Sequence, residues 1–146
     1  MQLRGIGFTA SAPPGWEVER APRTVLARSP DGPESVAVAV FRLAKPFRPE
    51  LWDEAVVELN DVAARLAERL GSTALVVRSG SATLDGDRAR SYVIAYRRDG
   101  RPLEDRVVFL LRGLREYQLT CRILVDENEA DVEACDEFKR SFRTTG

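Results

Sequence analysis

The spacing of apolar residues changes three times along the chain, and each change marks a different kind of element. Up to Leu43 the apolar positions come in short extended runs: Gly7-Phe8-Thr9-Ala10, a piece opening on Trp16-Glu17-Val18, Thr24 to Arg28, and Val36 to Leu43. Pro13-Pro14-Gly15 ends the first run. Ser29-Pro30-Asp31-Gly32-Pro33 supplies the Pro, Asp and Gly of a tight turn, which predicts an antiparallel hairpin from the last two runs.

The spacing then lengthens. Trp52, Val56, Leu59, Ala63, Leu66 and Leu70 follow one another at steps of three and four, one stripe of an amphipathic helix that must lie on a sheet. Pro49 suits the first turn, where its missing N–H costs nothing, and Glu50, Asp53 and Glu54 face the positive end of the dipole. Gly71 is the expected stop.

From Thr73 the period falls to two. Leu75-Val76-Val77 leads to a turn at Asp85-Gly86-Asp87, and Tyr92 to Tyr96 is the next strand. Asp99-Gly100 is the pair that two-residue hairpin loops favour, because both central positions take positive φ. Val107 to Leu111 and Tyr117 to Val125 follow, separated at Gly113. In the last of these, Tyr117, Leu119, Cys121 and Ile123 share one face, while Gln118, Thr120 and Arg122 share the other. The unbroken run Val107-Val108-Phe109-Leu110-Leu111 predicts a strand covered on both faces. A second helix closes the chain: Asn128 caps it, Val132, Cys135, Phe138 and Phe142 form its apolar face, and Lys139, Arg140 and Arg143 sit at its negative end.

These elements predict one α+β domain over residues 1–146, an α/β/α sandwich with a central antiparallel sheet of about six or seven strands and two main helices. The length suffices to bury roughly 68–70% of the unfolded surface without a metal. Twenty-two basic residues against 23 acidic ones leave a net charge of -1, and acidic residues interrupt the arginine runs. Charge therefore gives no support for nucleic acid or an anionic membrane as partner. No stretch approaches the roughly 18 apolar residues of a membrane span. Met1-Gln2-Leu3-Arg4 has no apolar leader, so the chain reads as cytoplasmic as written, and as exported if a leader was removed.

Candidate chemistry is sparse. The chain has no histidine, which removes Ser-His-Asp and Cys-His nucleophiles, His-bearing zinc sites and the imidazole base. Ser79-Gly80-Ser81 lacks the nucleophile-elbow context and reads as a strand edge or turn. Gly5-Ile6-Gly7 precedes a strand and lacks the rest of a phosphate loop, so it reads as a flexible start. Asp126, Asn128 and Glu137 fall at calcium-loop positions, but Ala130 and Asp131 stand where that loop needs an oxygen ligand and a glycine. No cofactor and no metal is expected. Carboxylates are plentiful, yet no spacing singles out a catalytic pair.

Cys121 lies on the inward face of the last strand and Cys135 on the apolar face of the closing helix. If the helix folds back on that strand the sulfurs meet, as a disulfide in an oxidising compartment or as two buried thiols in a reducing one. Trp16 and the aromatic-basic group Tyr92, Tyr96, Arg97 and Arg98 are the candidate partner contacts, because Trp, Tyr and Arg dominate interface hot spots. The alternative is that Trp16 plugs the core and the tyrosines pack inside it.

Three segments in order carry a family resemblance. Phe8-Thr9-Ala10-Ser11-Ala12-Pro13-Pro14-Gly15-Trp16 resembles the opening of the PsbP-like superfamily, Gly113-Leu114-Arg115-Glu116-Tyr117-Gln118-Leu119-Thr120-Cys121 its late strand, and Phe138-Lys139-Arg140-Ser141-Phe142-Arg143 its closing helix. The superfamily includes Mog-related and DcrB-related proteins, and the Pro-Gly-Trp opening and cysteine pair look closest to its small actinobacterial members. The resemblance implies the same sandwich and a non-enzymatic binding role. No functional residue of those relatives can be matched here.

The expected function is thus a non-catalytic binding or accessory protein whose partner is another protein, with homodimerisation through an uncovered sheet edge as one form. Three alternatives stay open. One is a small-molecule or lipid carrier with a pocket between helix and sheet. Another, from the resemblance, is a chaperone of secreted effectors. The third is an enzyme working with carboxylates and arginine alone.

Overall fold

The computed structural model describes residues 1–125 and 129–145. Ten strands and two long helices follow in the order β1 (Gln2–Gly5), β2 (Phe8–Ser11), β3 (Glu17–Ala21), β4 (Thr24–Arg28), β5 (Ser35–Arg42), α1 (Trp52–Leu70), β6 (Leu75–Leu84), β7 (Asp87–Arg98), β8 (Arg101–Arg112), β9 (Arg115–Leu124), α2 (Glu129–Ser141) and β10 (Arg143–Thr144). A short 3-10 turn, Pro49–Leu51, runs straight into α1, so Pro49 stands just ahead of the helix rather than in its first turn.

A seven-stranded antiparallel sheet in the order β3-β4-β5-β9-β8-β7-β6 forms the middle layer. α1 packs over β6 and β7 on one face. On the other face lie α2 and a small sheet ordered β1-β2-β10. The expected sandwich is present, with one difference. The run at Phe8 does not join the main sheet but pairs with β1 and with β10 in the outer layer. Gly5-Ile6-Gly7, expected to be flexible, is instead the turn of the β1–β2 hairpin, whose Leu3 is fully buried.

Strand pairing explains why the sheet is twice covered. Val107, Phe109 and Leu111 join Tyr92, Ile94 and Tyr96 beneath α1, whose buried residues are Leu59, Ala63 and Ala67, with Trp52 at its start. The small alanines let the helix lie close to the sheet. Val108 and Leu110 turn the other way and meet Val36, Val38, Leu119, Phe138 and Phe142. The hairpins turn where Asp-Gly pairs predict: Asp85 and Gly86 have φ of 47° and 81°, Asp99 and Gly100 of 53° and 76°. Strands β7 and β8 each run to 12 residues, well past their apolar centres. Ser79-Gly80-Ser81 lies inside β6, an edge of the sheet, where partly exposed polar positions break the apolar pattern.

Candidate functional site

The sequence-predicted contact residues do not form one surface. Trp16 is half-buried against the core on the α2 side. Tyr92 and Tyr96 are 2% and 3% exposed in the α1-side core, which corrects the expectation that they meet a partner. Each spends its hydroxyl internally: Tyr92 donates to Asn60 Oδ1 at 2.6 Å and Tyr96 to Asp105 Oδ1 at 2.7 Å. Only Arg97 and Arg98 are exposed, beside the β7–β8 turn. Cys121 and Cys135 form a disulfide with a Cα–Cα distance of 5.7 Å, fastening α2 to β9 inside the core. Of the calcium-loop positions, Asp126 and Asn128 lie outside the described residues, as does the Asn128 cap, and Glu137 is ion-paired with Arg140 on α2.

Among the described residues Asp105 is the one buried charged side chain. Arg122 grips it with two bonds, Nε at 2.9 Å and Nη2 at 3.1 Å, and Tyr96 supplies the third. Burial, reinforced by the Asp105 charge, raises the Tyr96 hydroxyl well above its ordinary value, so it stays a donor. The Asp105 hydrogen bond likewise raises the Arg122 guanidinium. A groove of about 380 Å³ opens above this group, between Leu66 and Leu70 of α1 and the part of the sheet that α1 leaves bare. The Asp105 carboxylate below the groove is shared between Arg122 and Tyr96.

The larger recess lies at the far end of the sheet, where three hairpin turns meet: β1–β2, β3–β4 and β8–β9. It has a volume of about 1010 Å³ and is lined by Arg4, Arg20, Arg23, Arg42, Arg112 and Arg115 above Phe8, Val25, Val40 and Tyr117. No carboxylate is among its lining residues. Three of the arginines stand in one row across the sheet, because Arg42 pairs with Arg115 across β5–β9 and Arg115 with Arg112 across β9–β8. Like charges directly opposite destabilise a sheet. Arg112 is compensated, with Nη1 2.9 Å from Asp85 and Nη2 2.7 Å from Asp87. Arg42 and Arg115 make no ion pair among the described residues.

Local structure holds this end together. Gly7 has φ of 79°, and a side chain there would collide with the Arg115 guanidinium, so glycine lets the β1–β2 turn press against Arg115. The Gly7 carbonyl accepts from Tyr117 Oη at 3.0 Å and from the Thr145 amide at 2.8 Å. Arg20 donates to the Arg4 carbonyl. Asp85 accepts from the Thr144 amide at 3.0 Å; burial opposes its ionisation, but that bond and Arg112 outweigh it and lower its pKa. Sequence reading missed this cleft because its arginines are scattered. The available signal was an arginine on each side of two turns: Arg20-Ala21-Pro22-Arg23 and Arg112-Gly113-Leu114-Arg115.

No protein-family model and no curated protein sequence matches the chain. Solved structures do. Cyanobacterial PsbP (CyanoP) from Synechocystis sp. PCC 6803 superposes with a TM-score of 0.68 at 13% identity, over 94% of this chain and 86% of that one. LpqN, involved in cell envelope biogenesis of Mycobacterium tuberculosis, gives 0.64 at 17% identity, over 95% and 83%. A Bacteroides thetaiotaomicron protein gives 0.59 at 11% identity, covering 99% of this chain but 48% of its own. The chain has the PsbP-like fold.

Proposed function

We propose that this chain is a non-catalytic binding domain of the accessory kind, and that it holds an anionic, partly apolar partner in the arginine-rimmed cleft. The observation that carries this reading is the Arg42–Arg115 pair: two arginines directly opposite in strand register, with no carboxylate lining the recess. Such an arrangement opposes folding unless an external anion compensates it, and residues that break a local rule mark functional sites. Arginine forks match carboxylate and phosphate oxygens two at a time, and the apolar floor adds burial. A binding rather than catalytic role is supported by the lack of histidine and by the hold of Arg122 and Tyr96 on the one buried carboxylate among the described residues, Asp105.

The test compares wild-type protein with Arg42→Glu/Arg115→Glu, both verified as folded by circular dichroism. Each is used to capture partners from the native cells at low and high salt. A partner held by the wild type, released by salt and absent with the variant supports the reading. Capture unchanged by the double reversal refutes it.

A further inference from the structure

We propose that the partner is an anionic lipid surface, with the tips of the β1–β2 and β8–β9 turns entering its headgroup layer and the arginines taking its phosphates. This rests on the cleft being an anion site and commits that site to one source of anion.

The first argument is what the cleft exposes. Ile6 is 64% exposed and Leu114 39%, each a single aliphatic side chain at the tip of a turn, and both border the arginines. A small soluble anion would neutralise the guanidiniums and leave these two side chains in water. A protein partner would be expected to find exposed aromatic anchors, but of the three aromatics in the lining Phe8 and Tyr117 are each 2% exposed and Phe41 is partly buried. Accessible aliphatics beside a cluster of cations are what an anionic bilayer interface recognises.

The second argument is where the negative charge lies. No residue of α1 or α2 lines the cleft. α1 carries Asp53, Glu54, Glu58, Asp61 and Glu68 against Arg65 and Arg69, and α2 carries five carboxylates against Lys139 and Arg140. A nearly neutral molecule with its charges so separated is turned by a negative plane until the cleft faces it.

Flotation with phosphatidylcholine vesicles, with and without phosphatidylglycerol, tests the proposal. Binding is expected only when phosphatidylglycerol is present. Arg23→Ala and Arg42→Ala should each weaken it about fivefold, and Ile6→Ser/Leu114→Ser should weaken it without changing the melting temperature. No binding to phosphatidylglycerol vesicles, or binding that ignores these substitutions, overturns the proposal. If vesicles fail while a salt-sensitive partner is still lost with Arg42→Glu/Arg115→Glu, the cleft remains a binding site and only the lipid assignment falls.

Discussion

Arg42 and Arg115 face each other on neighbouring strands although nothing in the fold requires two cations there. Replacing one should therefore relieve the sheet: Arg42→Ala is expected to raise stability by about 0.5 kcal/mol at low ionic strength, a gain that salt removes. Urea unfolding at two salt concentrations checks it, and a loss of stability would mean that Arg42 is structural. Glu116 gives a second prediction at this scale. Burial, and then the charge of Glu58, raises its pKa above the ordinary 4.5. A raised folded value means its contribution is fully present below pH 4.5 and is lost as pH climbs through the folded value. Glu116→Gln should accordingly melt higher than wild type at neutral pH and lose that advantage in acid. Individual residues were legible in the sequence where chemistry is local, as with Gly71 ending α1 and Asp99-Gly100 turning a hairpin. Tyr92 and Tyr96 were not, because a tyrosine in a strand looks the same whether its hydroxyl meets water, a partner or a buried Asp105.

At the scale of elements, period and turn residues placed both helices and most strands of the main sheet. They fell short where polar residues continue a strand, as Arg88 and Arg90 do in β7, and where the β1–β2 hairpin and the distant β10 make a three-stranded sheet of their own. β10 is two residues long and has no pattern to read; it exists because α2 delivers it beside β2. The Cys121–Cys135 bond closes a short loop, 14 residues in separation, that anchors α2. Its removal in Cys121→Ser/Cys135→Ser should cost about 3 kcal/mol, read as the shift in urea midpoint, with the wild type under reductant shifting alike. Asp85 then holds β10. Its lowered pKa means that its contribution is present above pH 3.8 and is lost as pH falls through the folded value. The Thr144 amide should be protected from hydrogen exchange at neutral pH, and Asp85→Asn should expose it there while leaving the amides of β8 protected.

Over the whole molecule, overall charge concealed its distribution. A net of -1 gave no support for polyanions at the sequence level, yet six arginines gather at one end, while ten of the 23 carboxylates lie on the two helices, away from the cleft. No linear window shows this, because the arginines come from five strands and the turn at Arg23. The protein should bind a sulfonate cation-exchange resin at neutral pH and low salt despite its negative sum, and Arg20→Glu/Arg23→Glu should let it flow through. Early passage of the wild type would mean that the cleft is too weak a field to matter. The small sheet adds a matter of timing. Thr144 and Thr145 complete the cleft, so a ribosome must have released every residue through Thr145 before the site can assemble. Shortened translation products that stop within α2 would carry most of the core and all six cleft arginines, yet lack the closing strand, and they should compete poorly with chains that include β10 for whatever the cleft holds.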